Sequence, residues 1–252
     1  MTQNKYTLEH CIYSDSLLNK LEELNNTAVK YKCDQVDITY IKKGISFAKY
    51  YHGSQMRKSG EPYYSHPIIV AEMVANHMFR EHVIIAALLH DTLEDTTLTL
   101  SEIESEFNPR IAQIVDRLTR KIDPATDKKM SAGECLLKLI NIDDHESILI
   151  KICDRIHNIS TIKSMDKQKQ IKIFNETINN FFSVAIYLEN YEILSLLIKI
   201  CKNYKISEES YIDNFIKEPE FHIIQEDTCL FFALEIENDL TQTNTLRKLA
   251  LQ

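Results

Sequence analysis

The residues best suited to chemistry in this chain lie at the end of its most apolar stretch, Val83 to Asp95, VIIAALLHDTLED. Seven consecutive apolar residues run directly into His90, Asp91, Glu94 and Asp95. A segment that should be buried therefore ends in groups that are costly to bury without partners. At about 100° per residue, a helix through this stretch would place His90 with Glu94 on one face and Asp91 with Asp95 on the neighbouring face. Neutral imidazole and carboxylate are ligands for a divalent cation, whose charge would offset the clustered acids. The alternative is a buried helix whose polar end simply reaches solvent, and the surrounding sequence must decide.

Two other segments carry reactive side chains. His52 to Pro67, HGSQMRKSGEPYYSHP, is a loop by composition, with two of the four glycines and two of the five prolines of the chain. Within it Arg57 and Lys58 stand beside Ser59 and Gly60, a set able to hold phosphate oxygens or a planar base, since guanidinium both donates in pairs and stacks. Pro67 suits the first turn of a helix over 68–78, which puts His66 at a fixed place near that helix start. A further helix is expected over 145–165. On it Lys151, Asp154, Asn158 and Thr161 fall within an arc of about 80°, opposite Ile152, Ile156 and Ile159. A stripe holding a cation, an acid, an amide and a hydroxyl suits the lining of a pocket, although an ordinary exposed face would read the same way.

The elements that must position these residues are helical. Only 4 Gly and 5 Pro among 252 residues argue against a β-sandwich or a Gly-rich phosphate loop and for helices with short connections. Leu17, Leu18, Leu21, Leu24 and Val29 mark a first helix begun at Ser14 or Asp15, and Ile38, Ile41, Ile45, Phe47 and Ala48 a second over 37–51, with Gly44 a mild weakness in it. Thr99 or Ser101 can cap a short helix ending near Phe107, and Asn108-Pro109 turns into a helix through Ile111, Ile114, Val115 and Leu118. Residues 122–129 read as a polar connection, 132–142 as a helix, 166–190 as a long helix or broken pair, and 191–204 as another helix. The remainder, 206–252, suggests one more helical pair or a short strand, with a boundary near Lys205. The expected organisation is an all-α domain over 1–200 and a C-terminal extension over 201–252.

Composition bounds the function. A net charge of -8 repels polyanions and argues against general nucleic-acid binding, while a small anionic substrate needs only local cations. The 6 cysteines contain no CxxC pair, which fits reduced thiols in a cytoplasmic protein. No apolar run approaches the roughly 18 residues a membrane span requires, and MTQNKYTLEH lacks a signal-peptide core.

In order, HGSQMRKSGEPYYSHP (52–67), AALLHDTLEDT (86–96), VDRLTRK (115–121) and IKICDRIHNISTIK (150–163) resemble the hydrolase domain of the RelA/SpoT homologues, within the HD superfamily of metal-dependent phosphohydrolases. The resemblance covers about residues 37–190, and the chain looks like a stand-alone small alarmone hydrolase. It implies an HD-domain helical bundle in which His66, His90, Asp91 and Asp154 hold one metal ion, usually manganese. It also implies that Glu94 and Asp95 act on the chemistry, that Arg57, Lys58 and Ser59 meet the nucleotide, and that Asn158 and Thr161, with Lys151 on the same stripe, line its pocket. The 24 residues from His66 to His90 suffice for one helix out and one back, so the two histidines can meet. Two imidazoles and two carboxylates also suit Mn²⁺ better than a structural zinc, which prefers thiolates. Ser160 and Arg117 depart from the family pattern, where arginine and glycine are expected.

The activity so implied is the Mn-dependent removal of pyrophosphate from the 3′ position of guanosine tetra- or pentaphosphate, which degrades the alarmone of the stringent response. The partner is that small nucleotide, with no nucleic acid or membrane involved and assembly into a homo-oligomer left open. The alternatives are an HD phosphohydrolase of another phosphorylated nucleotide, such as NADPH at its 2′-phosphate, and a non-catalytic alarmone-binding protein.

Overall fold

Apolar side chains at helical spacing, closed off by local capping residues, produce an all-α fold. The computed structural model describes residues 11–123 and 127–202; beyond its first two residues, the expected extension over 201–252 lies outside the described residues. The chain forms two compact units that meet in sequence between His157 and Asn158.

The first unit holds α1 (Asp15–Tyr31), α2 (Ile38–His52), α3 (Ser65–His77), α4 (Glu81–Leu89), the single turn α5 (Thr92–Asp95), α6 (Leu100–Glu106), α7 (Pro109–Leu118), α8 (Ala132–Asn141) and α9 (His145–Ser160), whose last turn opens the second unit. Every residue of α4 from Val83 to Leu89 is buried, so this helix forms the axis against which α2, α3 and α7 pack. Gly44 has a specific place in that packing. A Cβ there would meet Leu88 Cδ1 at 3.0 Å and Ile85 Cγ2 at 3.5 Å, so its lack of a side chain lets α2 lie close on α4.

Capping follows the sequence signals. Asp37 accepts from the Thr39 amide, Thr99 and Glu102 form a reciprocal capping box, as do Ser131 and Glu134, and Asn108 caps α7 with Pro109 in its first turn. Ser14 precedes α1, but its hydroxyl donates to the Cys11 carbonyl instead of capping. Where a polar connection is expected, Ile122–Asp123 (β1) pairs antiparallel with Lys128–Lys129 (β2).

One expectation fails at the most informative place. The helix predicted to run through Asp95 stops at Leu89, and Asp91 takes φ -112° and ψ -3° before α5 begins. Local side chains compete for the backbone there, as His90 Nδ1 lies 2.8 Å from the Ala87 carbonyl and Thr92 Oγ1 donates to that of Leu89 at 2.7 Å.

The second unit comprises a 3₁₀ turn (Ile162–Ser164), α10 (Lys167–Glu176), a π-helical turn (Thr177–Phe181), α11 (Phe182–Tyr187) and α12 (Tyr191–Lys202). The broken helix expected over 166–190 is thus one run interrupted by a π turn, with Phe174, Ile178, Phe181, Phe182 and Ala185 buried along it.

Ion pairs fix the start of α9 in the first unit. Asp144 caps it through the Ser147 amide at 3.1 Å and pairs with Arg117 at 2.9 Å. Glu146 accepts from Arg80 and His82, each at 3.0 Å, and from Arg110. The hydrogen bond from His82, followed by the Arg110 guanidinium, outweighs burial and pulls the Glu146 carboxyl down to about 2. A carboxyl depressed below its ordinary 4.5 stabilises the fold above that pH and loses the contribution as pH falls toward 2. Glu146→Gln is expected to cost about 1–3 kcal/mol near neutrality. In thermal unfolding, the gap between wild type and variant should narrow steadily from pH 4.5 toward 2; a gap independent of pH would contradict this assignment.

Candidate functional site

The break after Leu89 turns His90 and Asp91 inward. His66, at the second position of α3, His90 and Asp91 are 2%, 4% and 8% exposed, and each offers a ligand atom within 4.8 Å of the others. Asp154 reaches the same place from α9, with Oδ1 3.1 Å from His66 Nε2 and 3.8 Å from His90 Nε2. The structure thus brings together all four residues expected to hold a metal.

Their orientation fits a cation. The Ala87 carbonyl accepts from His90 Nδ1, leaving Nε2 to face the two carboxylates. Asp91 Oδ1 is held by His52 Nε2 at 3.2 Å, while its buried Oδ2 has no hydrogen-bond partner among the described residues. A buried carboxylate oxygen left in that state is costly, and a cation bound between these side chains would remove the cost. Two imidazoles, two carboxylates and no thiolate form a donor set for a divalent ion of intermediate or hard character.

The titration of the cluster reflects the same charges. Burial opposes the charged ring of His90, yet the carboxylates of Asp91 and Asp154 hold its proton up to about 9. Burial would raise both acids, but His90 and His52 draw Asp91 down, and His66 and His90 hold Asp154 well below the usual carboxylate range. For His66 burial prevails and lowers the pKa. Its Nδ1 lies 2.6 Å from Nδ1 of His157, so one ring donates to the other. Burial, then the charges of His66 and Arg57, push His157 down to about 3, which keeps that ring neutral.

Glu94 and Asp95 stand on the single turn α5 and not on one helix continuous with α4. The carboxylate of Glu94 accepts from the Arg120 amide at 2.7 Å and guanidinium at 3.0 Å, and pairs with Lys129 at 2.7 Å. Burial raises its pKa, but Lys129 and Arg120 outweigh that and leave it lowered. Asp95 is exposed and accepts from the Tyr63 hydroxyl at 3.1 Å.

The basic loop begins where α2 ends. Arg57 and Gly60 close a turn, Gly60 N donating to the Arg57 carbonyl at 3.0 Å, and the Gly60 φ of +100° needs glycine. Arg57 lies along Tyr63, its guanidinium carbon 6.0 Å from the ring centroid and its Nε 3.7 Å from Glu61. Ser59 donates to Glu61 at 2.9 Å, and Lys58 is exposed. Lys151 is buried on α9 one turn before Asp154. Asn158 lies in the last turn of α9 and Thr161 precedes the 3₁₀ turn, both in the second unit. Arg117 serves the fold through its pairing with Asp144. Sequence reasoning gave no role to Tyr63, Arg120 or Lys129. The signal for the last two was a concentration of cations, TRK and DKK, on either side of a short polar connection.

The family model described as the HD domain matches residues 44–186. Over 166 residues the chain is 38% identical to the GTP pyrophosphokinase rsh of Brucella ovis, covering 65% of this chain and 22% of that protein. Over 179 residues it is 36% identical to a guanosine-3′,5′-bis(diphosphate) 3′-pyrophosphohydrolase of Aquifex aeolicus, covering 71% of this chain and 26% of that one. The chain therefore spans about a quarter of the length of these curated relatives. A solved structure described as a metazoan ortholog of SpoT that hydrolyzes ppGpp shares the fold with a TM-score of 0.55 and 19% identity, covering 69% of this chain and all of that one. With the His90-Asp91 pair buried at the end of the central helix, and the domain match spanning more than half its length, the chain belongs to the HD-domain family as a RelA/SpoT homologue.

Proposed function

We propose that this HD-domain hydrolase removes pyrophosphate from the 3′ position of guanosine tetra- or pentaphosphate, giving GDP or GTP, with one Mn²⁺ ion as cofactor. The observation that carries the reading is the oxygen of Asp91 without a hydrogen-bond partner among the described residues, set among His66, His90 and Asp154, beside a loop that carries the largely buried Arg57 and the exposed Lys58. The names of the Aquifex and metazoan relatives supply the substrate class.

His66, His90, Asp91 and Asp154 would hold the metal, which when bound supplies Lewis acidity toward phosphate and water. The protein supplies the rest. Lys58 gives an otherwise acidic chain a local cation for a polyanion, with the Ser59 hydroxyl beside it, and the planar guanidinium of Arg57, now held against Glu61 and Tyr63, would stack on a purine once turned outward. Lys151 adds a buried cation one turn from Asp154. Asp95, exposed and oriented by Tyr63, would take a proton from water, a contribution typically worth about 10²- to 10⁴-fold. Glu94 acts beside it as an anchor, its carboxylate committed to Arg120 and Lys129 and its proton affinity lowered. Among the described residues no helix is long and apolar enough to cross a membrane, and cytoplasmic placement is part of the proposal.

The test is chromatography of products after metal-stripped protein is incubated with guanosine tetraphosphate, and separately with NADPH, with and without Mn²⁺. The expected result is Mn²⁺-dependent release of GDP and pyrophosphate that disappears in His90→Ala. Turnover of NADPH alone would overturn the substrate, binding without turnover would make the chain an alarmone-binding protein, and full activity in His90→Ala would overturn the metal assignment.

The His90 proton gives a second prediction. Up to about pH 9 the metal-free ring is protonated, so a metal ion must displace that proton to bind. Apparent Mn²⁺ affinity should strengthen from pH 6 toward 9, by at most about tenfold per pH unit from this group. Titration calorimetry at pH 7 in buffers of different ionisation enthalpy should register proton release, and its absence would count against His90 as a ligand.

A further inference from the structure

The support beneath Asp91 is as specific as the cluster itself. His52 is the last residue of α2, and its side chain is completely buried. Both ring nitrogens are engaged, Nδ1 at 2.9 Å from Gln55 Oε1 and Nε2 at 3.2 Å from Asp91 Oδ1. Tyr63 stacks on the ring, with centroids 4.7 Å apart and planes at 27°. Gln55 is itself oriented, because its amide nitrogen donates to the Asp95 carbonyl at 2.8 Å and leaves only its oxygen to face His52. A carboxylate turns through a broad torsional range when nothing holds it. Here one oxygen is tethered to His52, so the other, the one without a partner among the described residues, faces the cluster in one direction. His52 touches Asp91 through Oδ1 and is itself no member of the group of His66, His90 and Asp91.

We propose that His52, steadied by Gln55, is a positioning residue that aims Asp91 Oδ2 at the bound metal and so sets the metal affinity of the site. The inference rests on the metal-dependent reading above. Partners that orient a metal ligand typically contribute about 10- to 100-fold in affinity. The device also ties the metal to the basic loop, since Gln55 and Tyr63 belong to the segment that carries Arg57.

The experiment measures free Mn²⁺ by electron paramagnetic resonance during titration of wild type, His52→Ala, His52→Gln and Gln55→Ala, with circular dichroism of the metal-free proteins as the control for folding. Wild type should bind about one ion. His52→Ala should weaken binding about 10- to 100-fold, whereas His52→Gln, which keeps an N–H donor where Nε2 stood, should recover most of the loss. Gln55→Ala, at an exposed loop position where the fold is not at stake, should weaken binding by a smaller factor with Asp91 untouched. Wild-type affinity in both folded alanine variants would overturn the positioning role while leaving the metal site standing. If His52→Ala does not fold, wild-type affinity in Gln55→Ala is sufficient to overturn it. Failure of wild type to bind Mn²⁺ would overturn both readings together.

Discussion

Two carboxylates face two imidazoles in a largely buried space that Asp154 keeps open at one edge, and the arrangement of the first unit depends on how that charge is held. Asp91 and Asp154 would repel one another at close range in a medium of low polarity. In the metal-free protein, the proton on His90 and the tether from His52 offset part of that repulsion, and one oxygen of Asp91 still lacks a hydrogen-bond partner among the described residues. Such a cluster survives because the apolar packing around α4 is rigid enough to carry its cost. Seven buried residues hold α4 against α2, α3 and α7, and the helix stops where His90 and Asp91 must turn toward the centre.

The surroundings of the cluster are divided between anchoring and access. On one side Glu94 gathers Arg120 and Lys129, fixing the segment that follows α7. On the other, His52, Gln55 and Tyr63 link Asp91 and Asp95 to the loop that bears Arg57. A ligand that orders this loop therefore acts on the same supports that hold a metal-binding carboxylate. Farther away, Glu146 collects three basic side chains at the start of α9 and keeps Asp154 in register with His66.

Much of this was legible in the sequence because its causes are local or periodic. The apolar run ahead of His90, the cap at Thr99, the turn at Asn108-Pro109 and the placement of Pro67 just after His66 each act over a few residues. The 24-residue spacing between the histidines allowed the return of α4 onto α3. The helix break at His90 was not legible, because it depends on side-chain bonds to the Ala87 and Leu89 carbonyls that compete with an otherwise strong helical pattern. Nor were the partners of Glu94, which arrive from residues 26 and 35 positions away and depend on how the connection after α7 folds back. Gly44 read as a weakness in α2 for a related reason, since its purpose lies in the approach of another helix.

The central claim is that His66, His90, Asp91 and Asp154 form a single metal centre at the end of α4. Anomalous diffraction from crystals grown with Mn²⁺ tests it most directly. The account predicts one strong peak coordinated by the Nε2 atoms of both histidines, by Asp91 through Oδ2 and by Asp154. A peak held instead by Glu94 and Asp95, or none at the cluster in protein saturated with the ion, would contradict it.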